Sequence, residues 1–315
     1  MSSVLRLALS SLLLAPAVLA SEGEAVTGGS GTGAAAAWPA EHWGYEGSAA
    51  PHFWDEVDPK ANAMCASGTH QSPINLMDEE TTKVIIEKPT GDVAVSWKNI
   101  NGTGFVTFAN LGHTLQVGTF PSKDTTVGGK TANPSTITYK DKTFTLLQFH
   151  FHTPSEHHVM NKFSPMEVHF VHATTSGELA VLGIFLELSE TNTPSPFLAQ
   201  MMPLMNQVKN NQDATPLDGV NINTALTEAG NLANGFYTYG GSLTTPKCAE
   251  GVHWIVAKNS IRMSNTQWNA FKQWMGYSAR QTQRRLTADD LESGASQALV
   301  PGFMVIASIV AQLLF

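Results

Sequence analysis

Three histidines, His150, His152 and His169, stand in two short stretches, Gln148-Phe149-His150-Phe151-His152 and Glu167-Val168-His169. Side chains on a strand alternate faces, so His150 and His152 share one face while Phe149 and Phe151 take the other. His169 follows 17 residues after His152, room enough for a turn and a returning strand that bring a third imidazole to the same spot. Three nitrogens with one open position describe a catalytic zinc site, because softer metals select thiolate while Mg2+ and Ca2+ select oxygen. An exposed His-x-His pair is the bland alternative, and the neighbours argue against it. A metal-bound imidazole donates its second N–H to an oxygen that fixes the ring. Gln148 and Glu167 each precede a proposed ligand by two residues, on the same strand face.

The elements that must position these groups follow from the surrounding pattern. Residues 42–286 are long enough for one sizeable core and contain no internal repeat or Pro/Ser-rich linker. Short β-rich runs dominate, at 84–87, 93–97, 105–108, 114–118, 136–139, 144–152, 166–172, 179–188 and 251–257, punctuated by Gly, Pro and Asn. Helical pattern is confined to 196–209, 223–229 and 265–275. The chain reads as a mainly β single domain with short peripheral helices. The runs 144–152, 166–172 and 179–188 follow one another closely, as adjacent antiparallel strands would. The last is apolar on both faces and reads as a central strand, which would set Val171 and Val181 beside the metal as an apolar wall or simply as core.

The chain ends carry different signals. Residues 1–20 read as a secretory signal, with Arg6, an apolar run and small residues up to Ala20, and 21–41 as a flexible Gly/Ala/Ser lead-in. The two cysteines, Cys65 and Cys248, are expected to form a disulfide in an oxidising compartment. A Cys/Cys/His metal site is disfavoured, because no close histidine or second pair accompanies either. After a linker at 287–297, residues 298–315 form a hydrophobic tail, read as a glycolipid-anchor signal ahead of a membrane segment or a buried helix. The formal charge of −8 comes without any Lys/Arg run or interleaved aromatic stripe, so nucleic acid is not an expected partner. Asn101-Gly102-Thr103 is an acceptor for a glycan or an unmodified loop.

Taken together, Trp43-Gly44-Tyr45, Gln71-Ser72-Pro73-Ile74, Asn110-Leu111-Gly112-His113, the two histidine stretches, Ser155-Glu156-His157, Leu179 to Leu186 and Ser242-Leu243-Thr244-Thr245-Pro246 resemble the alpha-class carbonic anhydrases. The resemblance runs from about residue 42 to 286. It implies a large, mostly antiparallel twisted sheet and the reversible hydration of CO2 to bicarbonate by zinc-bound hydroxide. It also implies roles: His150, His152 and His169 on Zn2+; Gln148 and Glu167 as their orienters; Thr244 and Glu156 aiming the hydroxide. Val171, Val181, Leu243 and Trp254 would line the CO2 pocket, Thr245 would contact bicarbonate, and Tyr45 would order water near Thr244. His113 would be the proton shuttle. Aligning Asn101 to Phe105 there instead would leave Thr103 and no shuttle; Leu111 departs from the family's more usual Asn. His157 is expected to bond within the core and His172 to face away from His169. Neutral imidazoles leave the full charge on zinc, so bound water ionises near neutrality, behaviour for which carbonic anhydrase is itself the reference case.

Two other readings compete. His150-x-His152-x3-Glu156 reproduces part of a cupin oxygenase motif with Glu156 as a ligand, although Phe144 and Phe163 stand where its glycines belong. A catalytically inactive carbonic-anhydrase-like module is the non-enzymatic reading, against which stands the retention of all three histidines and both orienters.

Overall fold

The structure is a computed structural model, and it describes residues 43–76, 93–101, 106–119, 135–217 and 219–284. The expected signal, lead-in, second linker and tail, and the strand expected at 84–87, lie outside the described residues. Fifteen strands are described: β1 (Asn75–Leu76), β2 (Val93–Ser96), β3 (Ile100–Asn101), β4 (Val106–Asn110), β5 (Leu115–Thr119), β6 (Thr136–Tyr139), β7 (Lys142–His152), β8 (His158–Val159), β9 (Met166–Ala173), β10 (Leu179–Leu188), β11 (Ala214–Pro216), β12 (Gly219–Val220), β13 (Phe236–Ser242), β14 (Glu250–Ala257) and β15 (Ile261–Met263). Eleven of them form one sheet in the order β11-β4-β5-β7-β9-β10-β14-β13, with β6 carrying β2 onto β7 and β15 joining β10. The sheet is mixed: β10 runs parallel to β14 and β15, and the remaining pairs are antiparallel.

Burial on both sides explains why β10 is apolar almost throughout, while β9, equally buried, alternates Glu167 and His169 with Met166, Val168 and Phe170. One face of the sheet carries the main core, including Phe149, Phe151, Phe170, Leu182, Ile184 and Ile255. The other carries a smaller apolar cluster that includes Val171, Val181, Phe185, Trp254 and Val256. A bulge in β7 between Leu146 and Gln148 sets which residues go where. Phe144 and Leu146 face the main core, and strict alternation would send Gln148 and His150 there too. The extra residue, Leu147, shifts the phase, so Phe149 and Phe151 take the core face and the polar residues take the other.

The helices are short, as the sequence suggests. Asn265–Met275 forms over its expected range, started by a capping box between Ser264 and Gln267. The helix expected over 196–209 is broken into Pro196–Ala199 and a 3-10 segment, Met202–Gln207. Pro203 has no N–H for the Ala199 carbonyl and its ring would collide with it. Strand β13 escaped the sequence reading because Gly235, Gly240 and Gly241 resemble loop punctuation. No helix among the described residues is long and apolar enough to cross a membrane.

Two features give predictions for stability. Cys65 and Cys248 are joined in a disulfide across 183 residues. Chain entropy sets an upper figure of about 5 kcal/mol for that closure, so the Cys65→Ser/Cys248→Ser variant should lose up to that much stability, read as a clearly lower urea midpoint. His172 is buried in the main core, its Nδ1–H donating to the Phe170 carbonyl and its Nε2 accepting from Trp97 Nε1. Burial lowers its pKa from 6.5 to about 3. Below pH 6.5 the unfolded chain binds a proton that the native state refuses, so stability falls as pH drops from 6.5 towards 3. Across that window the stability slope of His172→Gln should be smaller by about 1.4 kcal/mol per pH unit than that of the parent.

Candidate metal centre

Strands β7 and β9 pair so that His150 lies opposite His169 and His152 opposite Glu167. The three imidazoles are buried, and one ring nitrogen from each lies within 4.8 Å of the other two. Each remaining nitrogen is committed elsewhere. His150 Nδ1 bonds Gln148 Oε1 at 2.8 Å, His152 Nδ1 bonds the Ser278 carbonyl at 2.7 Å, and His169 Nε2 bonds Glu167 Oε1 at 2.9 Å. An oxygen acceptor needs an N–H, so these bonds fix the tautomers and turn Nε2, Nε2 and Nδ1 inward as lone pairs. Burial lowers the pKa of all three rings, that of His152 to about 4, with further lowering from neighbouring histidines. The rings are therefore neutral at pH 7 and able to ligate.

His152 Nε2 and Glu156 Oε2 are buried atoms without a hydrogen-bond partner among the described residues, 3.4 Å apart. Orphaned polar atoms at this depth are costly, and a cation held by the three imidazoles would satisfy His152 Nε2. Three neutral imidazoles are the donor set that suits zinc with an open position. The cupin reading fails here, because Glu156 Oε1 accepts the Arg280 backbone N–H at 2.8 Å and Glu156 is not part of the three-nitrogen group. Glu156 also takes a hydrogen bond from the Thr244 side chain, and burial raises its pKa.

Glu167 organises more than one ring. Its Oε1 accepts from His169 and from His157 Nδ1 at 2.7 Å, and its Oε2 accepts the backbone N–H groups of Glu156 and His157, each at 2.9 Å. Burial alone would raise its pKa; the two histidines and their hydrogen bonds outweigh that and hold it well below the usual carboxylate range. His157 Nε2 continues to the Tyr239 hydroxyl at 2.7 Å, and Tyr239 donates to Ser72 Oγ at 2.9 Å. A second cluster of potential ligands, His157, Glu167 and His169, is thus a hydrogen-bonded network rather than a metal cage.

The apolar wall lies beside this group. Val181 pairs with Val171 on one side and Trp254 on the other, and Leu243 packs against the same cluster. Thr244 and Thr245 are buried in the loop after β13, where the Cys248 N–H donates to the Thr245 carbonyl at 2.8 Å. His113 is half-buried in the turn between β4 and β5, its ring centroid 4.3 Å from that of Trp43. Gln116, three residues on, lies opposite His150 across β5 and β7. The Tyr45 ring packs edge-on against Trp43 and Trp54. Asn101 contributes backbone to β3, and the rest of its acceptor motif lies outside the described residues. Sequence reading missed Ser278, Arg280, Tyr239 and Ser72. Ser278 acts through its carbonyl and Arg280 on Glu156 through its N–H, and main-chain groups carry no side-chain signal.

A sequence profile described as eukaryotic-type carbonic anhydrase matches residues 49–290. The chain belongs to that family. It is 33% identical over 236 residues to a carbonic anhydrase of Neisseria gonorrhoeae, covering 75% of this chain and 81% of that one. A carbonic anhydrase of Nostoc sp. is 34% identical over 242 residues, covering 77% and 82%. Among solved structures, the fungal alpha carbonic anhydrase of Aspergillus oryzae superposes with a TM-score of 0.68 at 33% identity, over 82% of this chain and all of that one. The alpha carbonic anhydrase of Thermovibrio ammonificans, solved with sulfanilamide, gives 0.63 at 32% identity over 78% and 96%. The resemblance read from the sequence motifs is thereby established as family membership, and the fold expected from it is present.

One glycine in this carbonic anhydrase fold is tied to the site. Gly183 lies opposite His169, and a Cβ there would stand 2.9 Å from Glu167 Oε1. Gly183→Ala should displace that oxygen and weaken zinc binding by on the order of 10–100-fold, read by competition with a chromophoric chelator. Gly240→Ala, whose Cβ would meet nothing within 4 Å, is the matched control.

Proposed function

We propose that the chain catalyses the reversible hydration of CO2 to bicarbonate and a proton, with Zn2+ held by His150, His152 and His169. The observation that carries this reading is the convergence of three neutral, inward-facing imidazole lone pairs beside an apolar wall of Val171, Val181, Leu243 and Trp254. Zinc in such a site supplies a Lewis acid that makes water nucleophilic near neutral pH. Thr244 donates its hydroxyl proton to Glu156 and so offers only an oxygen lone pair to the nucleophile, which fixes that nucleophile's direction. Glu156 is held for this by the Arg280 N–H. The valines, Leu243 and Trp254 give a small uncharged molecule a dry surface without any charge to hold a larger polar substrate. Thr245 contacts the bicarbonate product, and Tyr45 helps order water near Thr244. His113 carries the proton away, since histidine is the side chain whose ordinary pKa suits transfer near neutrality.

The same reading takes 42–286 as the catalytic unit, 1–20 as a removed signal, 21–41 and 287–297 as linkers, and 298–315 as an anchoring tail. The protein would then work in the secretory pathway, outside the cell or on its surface, with a glycan at Asn101. The Cys65–Cys248 disulfide supports export, because such bonds persist in oxidising compartments.

Stopped-flow CO2 hydration by the zinc-loaded protein is the direct test. Activity should disappear with a zinc chelator and return with the metal; a zinc-replete, folded protein that leaves CO2 hydration at the uncatalysed rate would refute the reading.

A further inference from the structure

The turn that carries His113 is held by groups with no part in the hydration chemistry. Asn110, the last residue of β4, is buried, and its side chain works in two directions. Its Nδ2–H donates to the Val208 carbonyl at 3.0 Å, and its Oδ1 accepts the Gly112 N–H at 2.8 Å. Its backbone joins the same segment twice: the N–H donates to the Asp213 carbonyl at 2.8 Å, and the carbonyl accepts the Gln212 N–H at 2.7 Å. The turn closes through the Leu111 N–H on the Thr114 carbonyl at 2.9 Å. Thr114 then donates its hydroxyl to the Phe151 carbonyl at 2.6 Å, fastening the turn to the strand that presents His150 and His152.

Gly112 completes the arrangement. Its φ is +83°, a conformation that side-chain-bearing residues rarely adopt. A Cβ at this position would also stand 2.6 Å from Asn211 Oδ1 and 2.7 Å from Asn211 Cγ. The Asn211 side chain therefore presses on the outside of the turn, at a residue whose backbone conformation favours glycine. His113 is the next residue, so the backbone that carries its imidazole, whose ring centroid lies 4.3 Å from that of Trp43, leaves this turn in a direction that Gly112 sets.

We propose that Asn110 and Gly112, clamped by residues 208–213, are positioning residues that set where the His113 imidazole stands and so govern proton export without entering the hydration step. The proposal rests on the reading of His113 as the proton carrier. Proton transfer depends steeply on donor–acceptor geometry, whereas the three histidines stand on β7 and β9, outside this turn.

The test uses the zinc-loaded full chain in weakly buffering medium, with kcat and kcat/KM for CO2 measured for Gly112→Ala and His113→Ala. Gly112→Ala should lower kcat by on the order of tenfold, leave kcat/KM unchanged, and recover kcat when imidazole is added. The His113 ring resonances in its NMR spectrum should shift as well. Asn110→Asp, which keeps the acceptor for Gly112 but loses the donor to Val208, should give the same pattern more weakly, and serves alone if Gly112→Ala does not fold. If His113→Ala itself leaves kcat unchanged, the shuttle reading fails and takes the clamp with it. If His113→Ala lowers kcat while Gly112→Ala and Asn110→Asp match the parent, the clamp is refuted and the shuttle stands. A parallel fall in kcat/KM would also refute it, since general distortion would then be the cause.

Discussion

A single buried carboxylate ties the metal centre to the fold. Glu167 accepts from His169 and His157 and from the N–H groups of Glu156 and His157, so one side chain sets a ligand's tautomer and the backbone of the residue that holds Thr244. A charge buried this deeply is tolerated because every donor around it is aimed at it. The arrangement demands space on β10, and Gly183 provides it. Ligand geometry, the Glu156 carboxylate and the choice of a glycine on a neighbouring strand are consequences of one electrostatic requirement.

The two faces of the sheet divide the remaining work. Aromatic packing among Phe149, Phe151, Phe170, Phe197 and Phe271 makes one side rigid, and rigidity there is what lets polar groups on the other side keep fixed distances. The bulge at Leu147 lets one strand serve both faces. Across the sheet, Arg280 reaches from the end of the described chain to Gln71, Ser72 and the Cys65 carbonyl while its own N–H holds Glu156. The buried guanidinium thus holds the Cys65 end of the disulfide, whose other end, Cys248, lies in the loop bearing Thr244 and Thr245. A segment far from the metal in sequence becomes part of its support.

Much of the site was legible in the chain because strand alternation is local. Gln148, His150 and His152 on one face, with Phe149 and Phe151 on the other, need only a period of two, and Glu167 with His169 needs the same rule. The bulge was legible in principle: Phe144, Leu146, Phe149 and Phe151 break the period by one, which is how an inserted residue looks in sequence. Strand β13 was not legible, since Gly241 is needed where Ser72, Tyr239 and Trp254 approach, and a Gly-Gly pair reads as a turn. The helical period over 196–209 is local and continuous, and it is Pro203 that divides it into two short pieces.

The sequence by itself determined the donor types, their pairing with orienters, the sheet class and the cysteine pair, because each is a matter of residue chemistry and short-range period. Only the tertiary structure decided that His152 is oriented by the Ser278 carbonyl, that Glu156 hangs from the Arg280 N–H, and that residues 208–213 grip the turn before His113. Those choices are made by main-chain groups common to every residue. Their selection depends on which distant segments pack together, and that is a property of the folded chain rather than of any motif within it.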